Sequence, residues 1–444
     1  MNKKYKLMKY FVLTELNEGI VLYNSLNGSL LYIDEQNYID IVKTIYTTKE
    51  ITTEIFEQPE LFNRLYESQF IIDNCINETE LANLIFLEKY KANTTLKLLL
   101  YVTNDCNFSC VYCPQVHTKL YMTRETMDNV VFATEDLIKA NNYESISISW
   151  FGGEPLLNLD IIEYGMTAFM KIASEYNLKL YSGITTNGYL LNNKTIRKLF
   201  DCKVLDYQIT LDGKEENHNK NRMLKNNNGT WKIIWSNLKE MQKFDNNFNV
   251  IIRINTNIDN LEDVSTLVNM VDDTFDKRFS TKIQPIVNMG NYNLKTNYCS
   301  PTESQIIQLS LYDYMSNQNK QDKTLDLSIE PFGLMCNCSD PNYFVIKEDG
   351  KVCKCELKVD DVKNIYGTIK NGKFEIDSLK LTPYIVPRYN TECTECRLYP
   401  LCFGLTCPYK RIYKQSCSLK DSFLLEEYIK SIAQRLLKEA KNAI

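Results

Sequence analysis

Histidine is nearly absent: His117 and His218 are the only two in 444 residues. A metal site built on imidazole therefore has almost no material, and other donors must dominate any ligand set. Long apolar runs are missing as well. The longest, LKLLLYV at 96–102, falls far short of a membrane span, so no membrane partner is expected. A basic excess is also lacking, since 51 Lys and Arg face 56 Asp and Glu for a formal net charge of −5. That balance argues against a nucleic-acid surface. The opening MNKKYKLMKYFVLTEL has neither a sustained apolar core nor a small-residue cleavage site, and it does not read as a signal peptide. A cytoplasmic location follows as an expectation.

Cysteine is abundant: the chain has 15. In a reducing compartment disulfides are rare, and clustered cysteines point to metal or redox chemistry. A thiolate-rich, histidine-poor set favours iron–sulfur clusters or all-cysteine zinc. Twelve of the fifteen fall in two places, 106–113 and 336–417.

A chain of this length implies two to three domains. In the first, 1–92, a hairpin is expected around Asn27-Gly28 within 19–34, followed by helical spacing at 35–46, 59–73 and 78–90. This is a small α+β unit with no polar catalytic constellation. From 93 to 300, β-like runs at 96–103, 145–151, 178–186, 204–211, 249–257 and 281–287 alternate with helical stretches. Alternation of that kind means parallel strands with right-handed crossovers, here a partial (β/α)6 TIM-like barrel of α/β class. Parallel barrels carry their sites at the C-terminal ends of the strands. From 301 to 444 come one further helix (302–316) and the second cysteine-rich region.

Cys106, Cys110 and Cys113 lie in a loop directly after the first parallel strand. A 4Fe–4S cluster held by four cysteines is saturated; three leave one iron open for a ligand. Three reduced thiols in a loop, or zinc completed from elsewhere, are the plain alternatives. The C-x3-C-x2-C spacing after a first barrel strand resembles the signature of radical S-adenosylmethionine (radical SAM) enzymes. That resemblance implies an open iron chelated by the methionine moiety of S-adenosylmethionine (AdoMet). It also implies reductive cleavage to a 5′-deoxyadenosyl radical that removes a substrate hydrogen. Further segments resemble the family. Tyr112 stands where an aromatic lies near the adenine. Gly152-Gly153-Glu154-Pro155 looks like the GGEP motif, whose carboxylate meets the methionine ammonium. Asn187, in Thr186-Asn187-Gly188, and Thr210, in Thr210-Leu211-Asp212-Gly213, look like cofactor-lining positions, Thr210 replacing a frequent Ser. His218 and Arg222 resemble an H-x3-R stretch in which Arg222 pairs with the AdoMet carboxylate; a solvated loop arginine is the equal alternative, and His218 is expected to be a loop or capping residue. Arg253 and Asn255 share one face of the fifth strand, where they line a pocket or form a structural pair.

The later cysteines resemble the SPASM extension of radical SAM peptide-modifying enzymes, with four residues rather than three between Cys402 and Cys407. Carried over, one auxiliary 4Fe–4S cluster takes Cys338, Cys355 and Cys407, with Cys336 as an optional fourth ligand. The other takes Cys393, Cys396, Cys402 and Cys417. With the cluster at 106–113, that makes three. Cys353 and Cys355, two apart on an expected strand, share a face, so either is a candidate ligand. All-cysteine zinc stays open on composition. Cys75, Cys202 and Cys299 are expected to be buried free thiols.

The front unit resembles the winged-helix recognition domains of peptide-maturing enzymes, which bind a leader peptide on a sheet edge. The expected function is maturation of a ribosomally made precursor peptide by a radical crosslinking reaction. A thioether is the first choice and a carbon–carbon or ether link the next, with a flavodoxin or ferredoxin as electron donor. The rivals are a sulfatase-maturating, formylglycine-generating enzyme and a non-catalytic iron–sulfur electron-transfer protein.

Overall fold

The computed structural model describes residues 4–257, 260–287, 297–317, 329–413, 417 and 424–442. It divides into two compact units. One comprises Met1–Asn93, Leu309–Ser339 and Ile385–Ile444; the other comprises Thr94–Gln308 and Asp340–Tyr384. No helix among the described residues is long and apolar enough to cross a membrane.

In the first unit, β1 (Tyr5–Leu7) pairs antiparallel with β5 (Ile71–Asp73), and β2 (Phe11–Leu16), β3 (Gly19–Asn24) and β4 (Leu30–Ile33) form an antiparallel sheet. The expected hairpin is β3–β4, turned by Gly28 at φ 77°. Helices follow at Gln36–Thr48, Pro59–Glu67 and Glu78–Lys91. The helix expected over 59–73 thus ends at Glu67. Its last residues become β5, because Ile71–Asp73 find the edge of β1 and extended pairing replaces the helical turn. Both faces of the β2–β3–β4 sheet are covered. Phe11, Ile20, Leu22 and Ile33 pack with Ile39, Val42, Leu61 and Leu65 of the first two helices. On the other face Val12, Val21 and Tyr23 pack with Leu398, Leu401 and the helix Leu424–Asn442 through Leu425 and Ile429.

In the second unit, β6 (Thr95–Thr103), β7 (Ser145–Gly152), β8 (Lys179–Thr186), β9 (Asp206–Thr210), β10 (Asn249–Thr256) and β11 (Phe279–Pro285) are parallel neighbours in sequence order. All six expected strands are present in a large parallel sheet, consistent with the partial barrel. Beside β6, on the side away from β7, β12 (Tyr343–Ile346) adds a further parallel strand; β13 (Lys351–Cys353), β14 (Ile365–Lys370) and β15 (Lys373–Ile376) continue antiparallel.

The parallel strands have two unlike faces. Ile146, Ile148 and Trp150 of β7 are fully buried. Trp150 Nε1 donates to Ser182 of β8, and its ring sits close to Gly165 of the helix Leu159–Glu175. On the opposite face Ser147, Ser149, Gly183, Thr185, Gln208, Arg253, Lys282 and Gln284 are only half-buried. A filled parallel barrel packs bulky branched side chains there; these small and polar residues leave room instead.

Candidate active site

The three-cysteine loop leaves β6 at its C-terminal end and is held by its own chain. Thr103 Oγ1 accepts from Asp105 N–H at 3.0 Å, and Asp105 Oδ1 accepts from Cys106 N–H at 2.9 Å. Tyr121 and Lys225 both donate to the Asp105 carboxylate at 2.8 Å. Burial works against its ionisation, but these donors outweigh it and hold the carboxyl below its usual range. The far side of the loop runs against 221–225: Ser109 N–H donates to Met223 O at 2.9 Å and Val111 N–H to Asn221 O at 3.0 Å. The polar stretch 225–229 thus supplies a clamp, Lys225, that no sequence pattern announced. Asp105, directly before the first cysteine, was the available clue.

Gly152 and Gly153 are required by that same loop. A Cβ on Gly153 would lie 2.2 Å from Asp105 O, and one on Gly152, whose φ is 143°, would lie 2.2 Å from Thr103 O. Across this contact Gly153 N–H donates to Thr103 O at 3.0 Å and Glu154 N–H to Asp105 O at 2.8 Å. The glycines therefore admit the neighbouring backbone. Glu154 is fully buried. Its Oε1 accepts from Thr186 Oγ1 at 2.7 Å and Leu156 N–H at 3.0 Å, and Oε2 accepts from Asn187 N–H at 2.8 Å. Burial raises its pKa against those three donors. Oε2 retains a lone pair for one more donor, such as an ammonium. Pro155 starts the short helix Pro155–Asn158 behind it. Asn187 Nδ2 donates to Asn107 Oδ1 at 2.7 Å, tying the end of β8 to the cysteine loop.

A buried polar network fills the space below. Tyr112 O–H donates to Asp212 Oδ2, and its oxygen accepts from Arg222 Nη1 at 2.8 Å and Asn255 Nδ2 at 3.0 Å. The expected place of Tyr112 is beside an adenine; here its hydroxyl is committed to three protein groups. Arg222 is 8% exposed, not a solvated loop arginine, because the loop folds it under Phe108 and Tyr112. Its Nε has no hydrogen-bond partner among the described residues. His218 is fully buried and structural. Thr230 Oγ1 donates to Arg222 O at 2.6 Å, so His218 Nε2–H donates to Thr230 at 3.0 Å and Nδ1 accepts from Asp212 N–H at 3.2 Å. Burial and the Arg222 charge push His218 well below its usual range. Thr210, at the end of β9, makes no side-chain hydrogen bond among the described residues.

Burial pushes the Cys106 thiol up to about 12 and Cys110 up to about 11, with Arg222 opposing at Cys110; Cys113 is raised too. Thiolates are disfavoured here unless a metal cation compensates them. Three thiols with one neighbouring cation and a nearby carboxylate of spare acceptor capacity fit a three-cysteine cluster with AdoMet at its open position. His117 sends Nε2 to 3.5 Å from Cys113 Sγ while Nδ1–H donates to Asn104 O at 3.1 Å. Among the described residues no three His, Cys, Asp or Glu side chains converge on a single-ion position.

The other cysteines divide between the units. In the first, segments 334–339 and 401–405 bond to each other: Leu334 N–H to Leu401 O at 3.1 Å and Cys336 N–H to Leu405 O at 3.0 Å. Cys338 and Cys402 are buried, Cys336, Cys393, Cys396 and Cys407 half-buried, Cys417 exposed. Burial pushes Cys402 up to about 12, and Cys396, Cys417 and Cys393 add to the rise; Cys393 is raised by burial and by Cys417 and Cys396. Cys393 and Cys402 thus both lie near Cys396 and Cys417. The extra residue between Cys402 and Cys407 is absorbed by two consecutive left-handed residues, Phe403 at φ 49° and Gly404 at φ 69°.

In the second unit, Cys353 and Cys355 do not share a strand face. The register shifts at Val352/Cys353 and β13 ends there, while Cys355 caps the turn Glu356–Lys358. Cys353 is buried among Leu99, Tyr101, Tyr343, Val345 and Val359, which raises it to about 12; Cys355 is half-buried. Of the other three, Cys299 is buried as expected, but Cys75 is exposed and Cys202 half-buried, since each lies at the end of an element rather than inside one.

Residues 100–271 match the sequence model of the Radical SAM superfamily. The chain is 27% identical over 395 residues to the radical SAM cyclopropyl synthase TigE of Paramaledivibacter caminithermalis, spanning 78% of this chain and 81% of that protein. It is 24% identical over 370 residues to a cysteine-type anaerobic sulfatase-maturating enzyme of Clostridium perfringens, spanning 74% and 93%. In fold it is similar to native anSMEcpe with bound AdoMet and Cp18Cys peptide, at 22% identity and TM-score 0.59 over 78% of this chain and 99% of that one. It is also similar to Streptococcus suis SuiB, at 17% identity and TM-score 0.50 over 93% and 97%.

Proposed function

We propose that this radical SAM enzyme matures a ribosomally made precursor peptide, removing a hydrogen from one residue and installing a crosslink, a thioether in the first instance and a carbon–carbon or ether link next. The observation that carries the reading is the backbone contact of the Cys106–Cys113 loop with Gly152-Gly153, which sets the three thiols beside Glu154. In this reading Cys106, Cys110 and Cys113 hold the 4Fe–4S cluster. Glu154, Asn187, Thr210 and Arg222 receive AdoMet, the spare acceptor of Glu154 facing the ammonium and the unpartnered Arg222 Nε facing the carboxylate. Tyr112 holds Arg222 in place through its hydroxyl and offers its ring to the adenine. When bound, the cluster and AdoMet supply reductive cleavage and hydrogen abstraction.

Joining an S–H to a C–H removes two hydrogens, so an electron acceptor is needed besides the hydrogen acceptor. Two auxiliary clusters answer that need, one on Cys393, Cys396, Cys402 and Cys417, the other on Cys338, Cys355 and Cys407 with Cys336. The nearness of Cys396 and Cys417 to both Cys393 and Cys402 supports the first set; the burial of Cys353 supports Cys355 in the second. Reduction would come from a flavodoxin- or ferredoxin-type donor. The front unit, winged-helix-like with its edge strands β2 and β4, would take the leader peptide by strand addition. SuiB, of which one structure is described as bound to precursor peptide SuiA, accounts for 93% of this chain where anSMEcpe accounts for 78%. The difference favours a peptide maturase over the formylglycine alternative.

The test is anaerobic reconstitution with iron and sulfide, then AdoMet and dithionite. About twelve irons per chain, with 5′-deoxyadenosine formed by the wild type and not by the triple Cys106→Ala, Cys110→Ala, Cys113→Ala variant, is the expected result. Continued 5′-deoxyadenosine formation by that variant would overturn it.

A further inference from the structure

The half-buried face of the parallel sheet carries two cations side by side. Arg253 of β10 and Lys282 of β11 are register partners, and Arg253 is in turn level with Thr210 of β9. Register partners on adjacent parallel strands point to the same face. Like charges placed opposite each other across strands destabilise the pairing, and among the described residues no carboxylate forms an ion pair with either, Asp212 and Glu356 acting on Arg253 only through space. Among the described residues the only hydrogen bond of Arg253 runs from Nε to Asn255 Oδ1 at 2.9 Å. Lys282 has neither a hydrogen bond nor a salt bridge among the described residues. The acidic groups nearby are taken. Asp212 holds Tyr112 and the Asn255 N–H, and Glu356 accepts from Tyr343 O–H at 2.8 Å. Lys97, on the same face of β6, differs in having its own carboxylate, Asp340, at 2.8 Å.

Around the pair the face stays polar and half-buried. Gln208 and Gln284 sit one pleat away on neighbouring strands, and neither side chain hydrogen-bonds to a described residue. Asn255 links the pair to the radical site, donating to Tyr112 from the strand that carries Arg253.

Resting on the reading of the chain as a peptide maturase, we infer that Arg253 and Lys282 form a subsite for an acidic side chain, Asp or Glu, of the peptide near the residue that loses hydrogen. A guanidinium fork and an ammonium are the donors a carboxylate takes. The paired charge that costs the free protein stability is neutralised when such a substrate arrives.

Acetyl-Gly-Ser-Asp-Ser-Gly-amide and its Asn counterpart, offered to the reconstituted AdoMet-bound enzyme and followed by ligand-observed NMR, test this. The Asp peptide should be held about tenfold more tightly than the Asn peptide, the size expected for a charge-assisted contact. The preference should shrink to about twofold in Lys282→Gln and persist in Lys282→Arg. Equal binding of the two peptides, binding of neither, or an unchanged preference in Lys282→Gln overturns the subsite. If Lys282→Gln weakens AdoMet binding and leaves the peptide preference alone, the pair serves the cofactor carboxylate and the inference fails. Wild-type 5′-deoxyadenosine formation without peptide reports separately on the radical reading, since its absence would remove that reading whatever the peptides do.

Discussion

The two cysteine regions are built on opposite plans. The loop at 106–113 is held by groups that are not cysteine: Asp105 with Lys225 and Tyr121, the glycine contact, and the Tyr112–Arg222–Asp212 network. The region 393–417 has short helices, Thr391–Thr394, Tyr399–Cys402 and Pro408–Ile412, and two thiols, Cys393 and Cys402, raised by burial and by the neighbouring cysteines. Four or five residues form little more than one helical turn, too little to persist alone. The first region positions its thiols before any metal arrives. The second packs Leu398 and Leu401 into the core and, on the reading proposed above, relies for the rest on what its thiols bind.

The sharpest way to break that comparison is to remove thiols from each region. Changing Cys393, Cys396, Cys402 and Cys417 together to alanine should lose about four irons and several kcal/mol of stability in the first unit, because there binding and folding are coupled. The triple alanine variant of the front loop should lose a similar amount of iron with little change in thermal midpoint. Equal destabilisation by both, measured by calorimetry of the reconstituted proteins, would erase the distinction.

A smaller effect should come from the pre-built loop itself. Gly153→Ala places a methyl 2.2 Å from Asp105 O, where only backbone can yield. A cost of about 2–4 kcal/mol is expected, with displaced cysteines and reduced iron uptake at 106–113 while the C-terminal iron is retained. Full iron occupancy would show that the loop is not organised by this contact.

The smallest effect concerns pH. His218 is neutral in the folded chain, with a pKa well below the unfolded value of about 6.5 because it is buried beside Arg222. The unfolded chain therefore binds the extra proton as pH falls. Stability should be unaffected above about pH 6.5 and decline below it by up to about 1.4 kcal/mol per unit. His218→Gln should flatten the slope in urea titrations between about pH 5 and 6.5. An equally steep slope in the variant would remove His218 as its source.

Much of the second unit was legible because its signals are local. Each parallel strand is a short run of apolar or β-branched residues followed by a helical stretch, and the cysteine spacing names its chemistry within eight residues. What was not legible depended on contacts distant in sequence. β12 joins β6 across more than two hundred residues, and the front sheet shares its second face with residues 398–433. The motif around Gly152-Gly153 was legible, but not that the chain its glycines admit is the cysteine loop itself. The contacts of the Tyr112 hydroxyl with Asp212, Arg222 and Asn255 were not legible, because an aromatic at a motif position says nothing about where its hydroxyl points. Cys353 and Cys355 were read on one face because alternation holds only while a strand continues, and β13 stops at the first of them.

The contact between Gly153 and Asp105 makes the two loops after β6 and β7 one mechanical part. Neither can gain a residue without displacing the other, so evolutionary change in length is confined to loops elsewhere on the sheet. An enzyme that acquires a new substrate on this scaffold must do so from the far strands, β10 and β11, while the pair of loops is inherited unaltered.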